Sequence, residues 1–240
     1  MEGIHVLLVE NKYIQEEVNN KYFNLNYPYI LISDEEVKSD NREYLKQKQN
    51  FINVINEEIK EDVLSFREVI EDDVQIEHLK KFTLNVMTEP QIFMNRHGIL
   101  SISMEFSQRI SLYNVSYINT YNYDLDLGRK IILSDIFDKD SDYIEKIVED
   151  IKVDMKDMIR INQYNEEEYR SYKLETEYID EMDIILYEDQ EFYIENDGVV
   201  LCFSSFEISN EKSSLLEFKV PFKEYNNYLS RYAKEVIWNE

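Results

Sequence analysis

The sequence is poor in the residues that build disulfides, metal centres and sharp turns: among its 240 residues are one cysteine, three histidines, four glycines and three prolines. Cys202 alone excludes a disulfide within the chain, and its neighbours Leu201 and Phe203 indicate a small core residue rather than a reactive thiol. No apolar run reaches the ~20 residues of a membrane-spanning helix, and the apolar stretch 4–9 is shorter than that of a secretory signal. We therefore expect a soluble chain without a membrane span or an export signal.

Basic residues are also scarce, with 26 lysines and arginines against 50 aspartates and glutamates and a net charge of −24. Such a surplus repels nucleic acids and anionic membranes and favours a cationic partner, although acidity can also serve solubility alone. Hydrophobic residues make up 43% of the chain and aromatic residues 13%, which is too rich for a disordered segment. The chain should fold.

Three of the four glycines, Gly98, Gly128 and Gly198, lie between segments in which apolar and polar residues alternate. Alternation with a period of two is typical of strands that bury one face, and glycine between such segments indicates a hairpin turn. The predicted strands contain Phe82–Val86, Leu100–Phe106, Val115–Leu125, Val199–Phe203 and Leu216–Val220. They predict antiparallel sheets.

Two other segments have apolar residues at helical spacing, one over residues 40–71 and one from Ile144 to Met158. A third, shorter helix is predicted beside Pro221, with four buried side chains: Phe222, Tyr225, Leu229 and Val236. Strands and helices that are segregated along the chain predict the α+β class, with antiparallel sheets and packed amphipathic helices. We expect two lobes, a smaller one with the long helix over residues 1–80 and a larger one over 81–240.

The segment 123–150 contains seven aspartates, which raises the question of a calcium loop. A helix-loop-helix calcium site needs glycine at its sixth position, where the register that starts at Asp138 has Tyr143. The register from Asp124 places Arg129 and Lys130 inside the ligand cage. We therefore interpret the run as structural, a turn followed by helix-capping oxygens from residues 140–142, with weak calcium binding as the alternative.

Nothing in the sequence has the spacing of a catalytic centre. The three histidines, His5, His78 and His97, lie far apart, and no metal-ligand motif or nucleophile elbow occurs. Among 50 acidic residues some pair will lie at the ~5–10 Å separation of glycosidase carboxylates by chance. We expect a protein that is not an enzyme and that uses no cofactor and no metal.

Three separated motifs resemble a known family. The stretch "YNYDLDLGRKIILSDIFDKDSDYIEKI" is similar to a pattern found in the extracytoplasmic domain of lysozyme-responsive anti-sigma factors and in accessory domains of peptidoglycan deacetylases. "DQEFYIENDGVVLCFSSFEIS" and "LEFKVPFKEY" resemble the family's later motifs, in the same order. Upstream, "LNYPYILIS" and the helix through "FINVINEEI" resemble the smaller domain that usually precedes them, so the similarity spans about residues 20–230.

The resemblance implies antiparallel sheets with packed helices and a binding module, because in the anti-sigma members this domain captures lysozyme, a strongly cationic enzyme. This chain departs from the family where members have a loop with glycine and histidine: here the stretch reads "SLYNVSYINT", with neither residue. It also lacks the family's membrane anchor and sigma-binding segment, and the metal ligands of the deacetylase domain. A loop without glycine must take another shape.

Candidate contact residues for a basic partner come from three places. The altered loop contributes Tyr113, Asn114 and Tyr117, and the stretch 166–197 has thirteen acidic residues interleaved with tyrosines. Tyrosine rings among carboxylates form good anchors for a basic partner, although they also suit an ordinary strand or a solvated face. From that stretch and the "FEIS" motif we select Tyr169, Tyr172, Tyr178 and Glu207.

The sequence thus predicts a non-catalytic module that binds a cationic protein, such as a lysozyme-like hydrolase, or a cell-wall component. Two alternatives stay open: a cytoplasmic immunity-type inhibitor of a basic toxin, and a carboxylate-dependent peptidoglycan glycosidase. No nucleic acid is expected as a partner, and the compartment is not determined, although members of the family are usually extracytoplasmic.

Overall fold

A computed structural model describes residues 7–18, 20–32, 42–73, 83–110, 113–161, 179–204, 207–208 and 215–238. It contains nine strands, three α-helices and a C-terminal π-helix within those residues. The strands are β1 (Leu8–Val18), β2 (Lys21–Leu31), β3 (Leu84–Arg96), β4 (Ile99–Ile110), β5 (Tyr113–Asp124), β6 (Arg129–Lys130), β7 (Phe192–Glu195), β8 (Gly198–Phe203) and β9 (Leu216–Pro221). The helices are α1 (Arg42–Asp73), α2 (Leu133–Ile136), α3 (Tyr143–Ile161) and the π-helix Ala233–Trp238.

The strands form two sheets, which confirms the predicted α+β class. The larger sheet has the order β1-β2-β3-β4-β5-β6, and the smaller has the order β7-β8-β9. All neighbours are antiparallel except β2 and β3, which run parallel from the pair Lys21–Leu84 to the pair Leu25–Thr88. The larger sheet contains strands from both sides of residue 80. The division into two lobes at that position stays a prediction.

Helix α1 covers one face of the larger sheet. Its apolar residues recur every three or four positions and are buried against β2–β5: Ile52, Ile55, Ile59, Val63, Phe66 and Ile70. Two polar contacts fix the helix to β2. Asn56 donates to and accepts from the backbone of Ile30 (2.9 and 2.8 Å), and the buried Lys21 ammonium donates to the carbonyls of Ile70 (3.1 Å) and Glu71 (3.2 Å). Lys21 thereby satisfies carbonyls that the last turn of a helix leaves without partners.

The opposite face of β4 and β5 packs on the smaller sheet. Polar side chains of the larger sheet bond to the backbone of β7: Asn122 donates to the carbonyl of Phe192 (2.5 Å) and the Ser101 hydroxyl accepts from the Ile194 amide (2.8 Å). Ser101 in turn donates to Asn122 (2.6 Å). Helix α3 buries Ile147, Ile151 and Met155 in the core of the smaller sheet, as its helical spacing predicts.

Two of the three predicted glycine turns have the left-handed backbone that favours glycine, with φ of +74° at Gly98 and +64° at Gly128. At Gly98 a Cβ atom would also lie 2.4 Å from the Asp126 carboxylate, so no other residue fits there without a shift. The turns connect β3 to β4 and β5 to β6, as the sequence predicts.

The aspartate run forms turns and hydrogen bonds, in agreement with its structural interpretation. The Asp124 carboxylate accepts from the amides of Asp126 (3.1 Å) and Leu127 (2.8 Å) and from the Tyr232 hydroxyl (2.7 Å). Asp135 accepts from the Ile132 amide (3.0 Å) at the start of α2. Before α3, the Asp138 side chain accepts from the Asp140 amide (3.1 Å), and the backbone carbonyl of Asp142 accepts the first helical bond.

One predicted helix is wrong. Residues 222–228 form consecutive turns and Leu229 pairs with Phe137 in an isolated bridge, so the helix begins later, as the π-helix Ala233–Trp238. Phe222, Tyr225 and Leu229 are buried as predicted, but Val236 is 36% exposed. The physical reason is that bonds to α2 redirect the chain: the Ser230 amide donates to the Ile136 carbonyl (2.9 Å). Among the described residues, no helix combines the length and the apolar character that a membrane span requires.

Candidate binding groove between the long helix and strand five

An open groove of ≈ 290 Å³ lies where the C-terminal half of α1 crosses the ends of β4 and β5. Side chains alternate along β5, so its odd-numbered residues point toward α1 and form one wall of the groove. Residues of α1 that lie three or four positions apart share one face of the helix and form the other wall. The lining side chains are Asp62, Ser65, Phe66, Val69, Ile70, Gln108, Tyr117 and Asn119.

Two aromatic rings, Phe66 and Tyr117, line the floor of the groove, and the buried Phe106 packs against both. Tyr117 stacks on Phe106 with centroids 4.9 Å apart and an interplanar angle of 1°. Phe66 packs edge-on against both rings, at 5.3 Å from Phe106 and 5.7 Å from Tyr117. Phe106 is fully buried and Phe66 nearly so, whereas Tyr117 is half-buried, so Tyr117 is the more accessible of the two rings that line the groove.

Beside the groove, carboxylates of α1 pair with phenols of β5. The Asp62 carboxylate accepts from the Tyr121 hydroxyl (2.7 Å), and one turn earlier Glu58 accepts from the Tyr123 hydroxyl (2.6 Å). Burial, together with the charge of Asp62, raises the pKa of Tyr117 to about 12. Burial and the bond to Asp62 also raise the pKa of Tyr121 far above its ordinary value. Both phenols are therefore protonated at neutral pH, and the negative charge beside the groove belongs to Asp62.

The helix around the groove is strongly acidic. Residues 57–73 contain eight acidic side chains and two basic ones, Lys60 and Arg67. Both basic groups are paired: Lys60 with Glu57 (3.0 Å), and Arg67 with Glu16 (2.7 Å) and Glu71 (3.0 Å). The last turn of α1 has no basic residue, although the partial negative charge at the C-terminus of a helix favours one there. The Lys21 ammonium of β2 supplies positive charge at those last carbonyls, and the side chains of 57–73 keep a surplus of six carboxylates over basic groups.

A second group of carboxylates lies on the opposite face of β5. Glu191 accepts from the amide and the hydroxyl of Thr120, both at 2.5 Å, and burial raises the pKa of its carboxyl. Burial also raises the pKa of Glu217, which lies beside Tyr193. Within the described residues, no three histidine, cysteine, aspartate or glutamate side chains converge in an arrangement that could hold a metal ion.

The structure separates the predicted contact residues. Tyr117 lines the groove. Asn114 is three positions earlier in β5, and because alternate residues of a strand point to opposite faces, it belongs to the other face of the sheet. Tyr113 pairs with Ile110 through its backbone, and its side chain is outside the described part. Glu207 is exposed in a turn beyond β8, where its carboxylate accepts from the Ser204 amide (2.6 Å). Tyr169, Tyr172 and Tyr178 lie outside the described residues.

The groove residues Asp62, Phe66 and Val69 were not predicted as a site. Their helical spacing indicates only an amphipathic helix, and nothing in a single strand says which helix will cover it. One signal was present in the sequence: no lysine or arginine follows Arg67 before the helix ends. The structure adds that Val69 is 57% exposed.

Part of the chain matches a known protein family, and two solved structures have a similar fold. Residues 134–223 match the family described as "Protein of unknown function (DUF3298)". A DUF3298-family protein from Bacteroides fragilis has a similar fold, with a TM-score of 0.58 at 16% identity over 99% of this chain and 100% of that chain. A DUF3298-family protein from Pseudomonas aeruginosa has a TM-score of 0.55 at 8% identity over 95% and 96% of the two chains.

The matched stretch 134–223 includes most of the later motifs through which the sequence resembles the lysozyme-responsive family. At such low identities the two structures show the fold alone. No curated protein matches the chain. The groove lies outside the matched stretch, since its residues belong to α1, β4 and β5.

Proposed function

We propose that this protein is a non-catalytic binding module that docks a cationic protein, with the groove beside Tyr117 receiving a lysine or arginine side chain of the partner. The observation that carries the proposal is the combination, in one groove, of an aromatic floor and the Asp62 carboxylate on a face whose basic residues are already paired. A cation above a tyrosine ring gains a cation–π interaction, and Asp62 adds a charged acceptor.

Two further features support a basic partner. A net charge of −24 accelerates the encounter with a positively charged protein, because opposite potentials steer diffusion. The C-terminal half of α1 also has more carboxylates than its two basic residues can pair, which leaves negative charge beside the groove for a basic partner. The resemblance of the motifs in residues 121–147 and 189–225 to lysozyme-capturing domains makes a lysozyme-like hydrolase the first partner to test.

The test measures the affinity of the full chain for hen egg-white lysozyme by isothermal titration calorimetry at low and at high salt. The Asp62→Asn variant retains an acceptor for the Tyr121 hydroxyl while it removes the charge, so the fold should be kept. We expect this variant to bind about tenfold more weakly at low salt, which corresponds to ~1.4 kcal/mol. The matched control is Glu224→Gln, which removes one charge from an exposed turn after β9 and should change the affinity less than about twofold.

Two results would contradict the proposal. If neither lysozyme nor other basic proteins of similar charge bind at low salt, the protein is not a receptor for cationic proteins. If binding occurs but Asp62→Asn and Glu224→Gln weaken it equally, the attraction is a property of the net charge and the groove is not the docking site.

A further inference from the structure

The outer face of β1–β3, opposite α1, contains a second concave surface of ≈ 320 Å³ whose chemistry differs from that of the groove. Its lining residues are Tyr13, Asn24, Asn26, Met87, Thr88, Glu89 and Pro90. Only Glu89 among them is charged, in a chain of which 32% of the residues are charged. We call this surface the amide hollow.

The strand register explains how amides and aromatic rings come together here. Tyr13 of β1 lies opposite Asn26 of β2, and Gln15 lies opposite Asn24, to which it donates (3.2 Å). Tyr22 follows on the same face of β2 and lies opposite Glu17. Tyr13 is 61% exposed and Tyr22 is 43% exposed, and about 13 Å of strand separates the positions of Asn26 and Tyr22. Two solvent-facing rings therefore flank a row of side-chain amides.

One polar atom in the hollow has no partner. The side-chain oxygen of Asn26 is buried and receives no hydrogen bond within the described residues. An unsatisfied buried acceptor costs about 1–3 kcal/mol, and because Asn26 lines the hollow, a ligand that donates to its side-chain amide would remove that cost. The backbone beneath is fixed, because the Thr88 hydroxyl donates to the Asn26 carbonyl (2.6 Å). The site thus offers a donor-acceptor amide on a rigid strand.

We propose that the amide hollow binds an uncharged oligosaccharide. Saccharides present hydroxyl groups, which both donate to and accept from amides, and faces of C–H groups, which pack on exposed tyrosine rings. The charge of the chain disfavours a polyanion, and a polycation would find stronger sites on the acidic surface of α1. Glu89 of β3 is exposed at this surface, and the smaller sheet contacts the strand further along, where Phe93 stacks on Tyr193 with ring centroids 3.6 Å apart.

This inference does not depend on the proposed function. The groove and the hollow lie on opposite faces of the larger sheet, and their ligands respond differently to salt. Attraction of a basic protein by carboxylates weakens as ionic strength rises, whereas hydrogen bonds and ring contacts to a neutral saccharide change little.

The experiment titrates the full chain with four neutral hexasaccharides, cellohexaose, chitohexaose, maltohexaose and laminarihexaose, and follows side-chain amide signals by NMR. We expect at least one of them to shift the Asn24 and Asn26 amide signals at millimolar concentration or below, at low and high salt alike. The Tyr13→Ala variant should weaken binding at least tenfold, because it removes one of the two exposed rings. Asn24→Ala, also at an exposed position, should weaken it severalfold.

The matched control is Tyr187→Ala, since Tyr187 is 58% exposed and does not line the hollow. Its affinity should equal that of the original chain. The proposal is overturned if none of the four saccharides shifts these signals at 10 mM, or if Tyr13→Ala binds as tightly as Tyr187→Ala.

Discussion

The two faces of β5 contact their neighbours through different kinds of polar side chain. Toward α1 the strand presents Tyr117, Tyr121 and Tyr123, whose rings fill the core while two of the hydroxyls donate to carboxylates of the helix. Toward the smaller sheet it presents Thr120 and Asn122, which bond to Glu191 and to the backbone of β7. The first arrangement keeps its carboxylates near the surface, and the second buries amides, hydroxyls and the Glu191 carboxyl between two sheets.

This difference has a consequence for function. Tyrosine–carboxylate pairs tolerate changes at their rim, because water can replace a lost partner at a half-exposed position. Amide–backbone bonds between the sheets exclude water, so each of them is required. The helix face of the sheet is therefore the side on which a binding surface can vary, and the inter-sheet face is the side that maintains the fold.

The largest loss of stability is expected when the Asn122 amide at the inter-sheet face is removed. Asn122→Leu deprives the Phe192 carbonyl and the Ser101 hydroxyl of their partner at a site that is 5% exposed. We expect the free energy of unfolding to fall by about 3 kcal/mol, since unsatisfied buried polar groups cost about 1–3 kcal/mol each. Urea denaturation measures this loss. Asn227→Ala, in an exposed turn, is the control and should change it by less than about 0.5 kcal/mol.

The equivalent change on the helix face should cost less. Tyr121→Phe keeps the ring in the core but leaves the Asp62 carboxylate without the phenol donor. Because Asp62 is only half-buried, water replaces part of the lost bond, and we expect a loss of about 1 kcal/mol in the same urea assay. A loss as large as that of Asn122→Leu would show that the two faces are equally intolerant.

At the inter-sheet face, Glu191 should make the stability of the protein depend on pH. Burial raises the pKa of its carboxyl in the folded chain, and the bonds from Thr120 oppose that rise without cancelling it. A raised folded pKa means that the folded state binds the proton more tightly, so this group's contribution to stability grows as the pH falls through the folded pKa toward the unfolded value.

Replacement of Glu191 by Gln keeps an acceptor for Thr120 and removes the titration. We expect Glu191→Gln to raise the melting temperature at pH 7 and to abolish this part of the pH dependence. The measurement is thermal unfolding between pH 4 and pH 8, with Glu188→Gln at an exposed position as the control. Equal pH profiles for the original chain and Glu191→Gln would contradict the prediction.

The smallest effect is expected at the rim of the helix face. The Lys130 ammonium pairs with Glu58 on the surface beside the Tyr123 hydroxyl, and it is more than half exposed. Lys130→Met should change the free energy of unfolding by less than about 1 kcal/mol, because exposed ion pairs contribute little and are screened by salt. Denaturation at low and high salt tests this expectation, and a cost above 2 kcal/mol would contradict it.

Much of the fold could be predicted because its signals are local. The alternation around Gly98 and the three-four spacing from Ile52 to Ile70 each follow from neighbours in the chain, and the structure confirms the strands and the helix that they predict. The hairpin of β1 and β2 was not predicted, because Leu8–Val18 is mostly exposed and its apolar residues do not alternate clearly. The helix expected at Pro221 was wrong because contacts with α2, distant in sequence, decide the path of residues 222–230.

The candidate sites depended on pairings that the sequence does not contain. Tyr117 was predicted as a contact, but its partners Asp62 and Phe66 come from a helix more than fifty positions earlier, and Asn114 proved to belong to the other face of the strand. The amide hollow needed the register of β1 on β2, which places Tyr13 opposite Asn26. A shift of that register by one residue would exchange the two faces.

The sequence by itself determined the acidity of the protein, its α+β class, the turns at Gly98 and Gly128 and the hydrogen-bonding role of the aspartate run, because these depend on composition or on residues a few positions apart. Only the tertiary structure decided which face of each strand meets the helix, where the parallel pair joins β2 to β3, and how a ring, a carboxylate and an exposed valine come to share one groove. Such encounters depend on strand register and helix packing, which emerge only when the whole core is assembled.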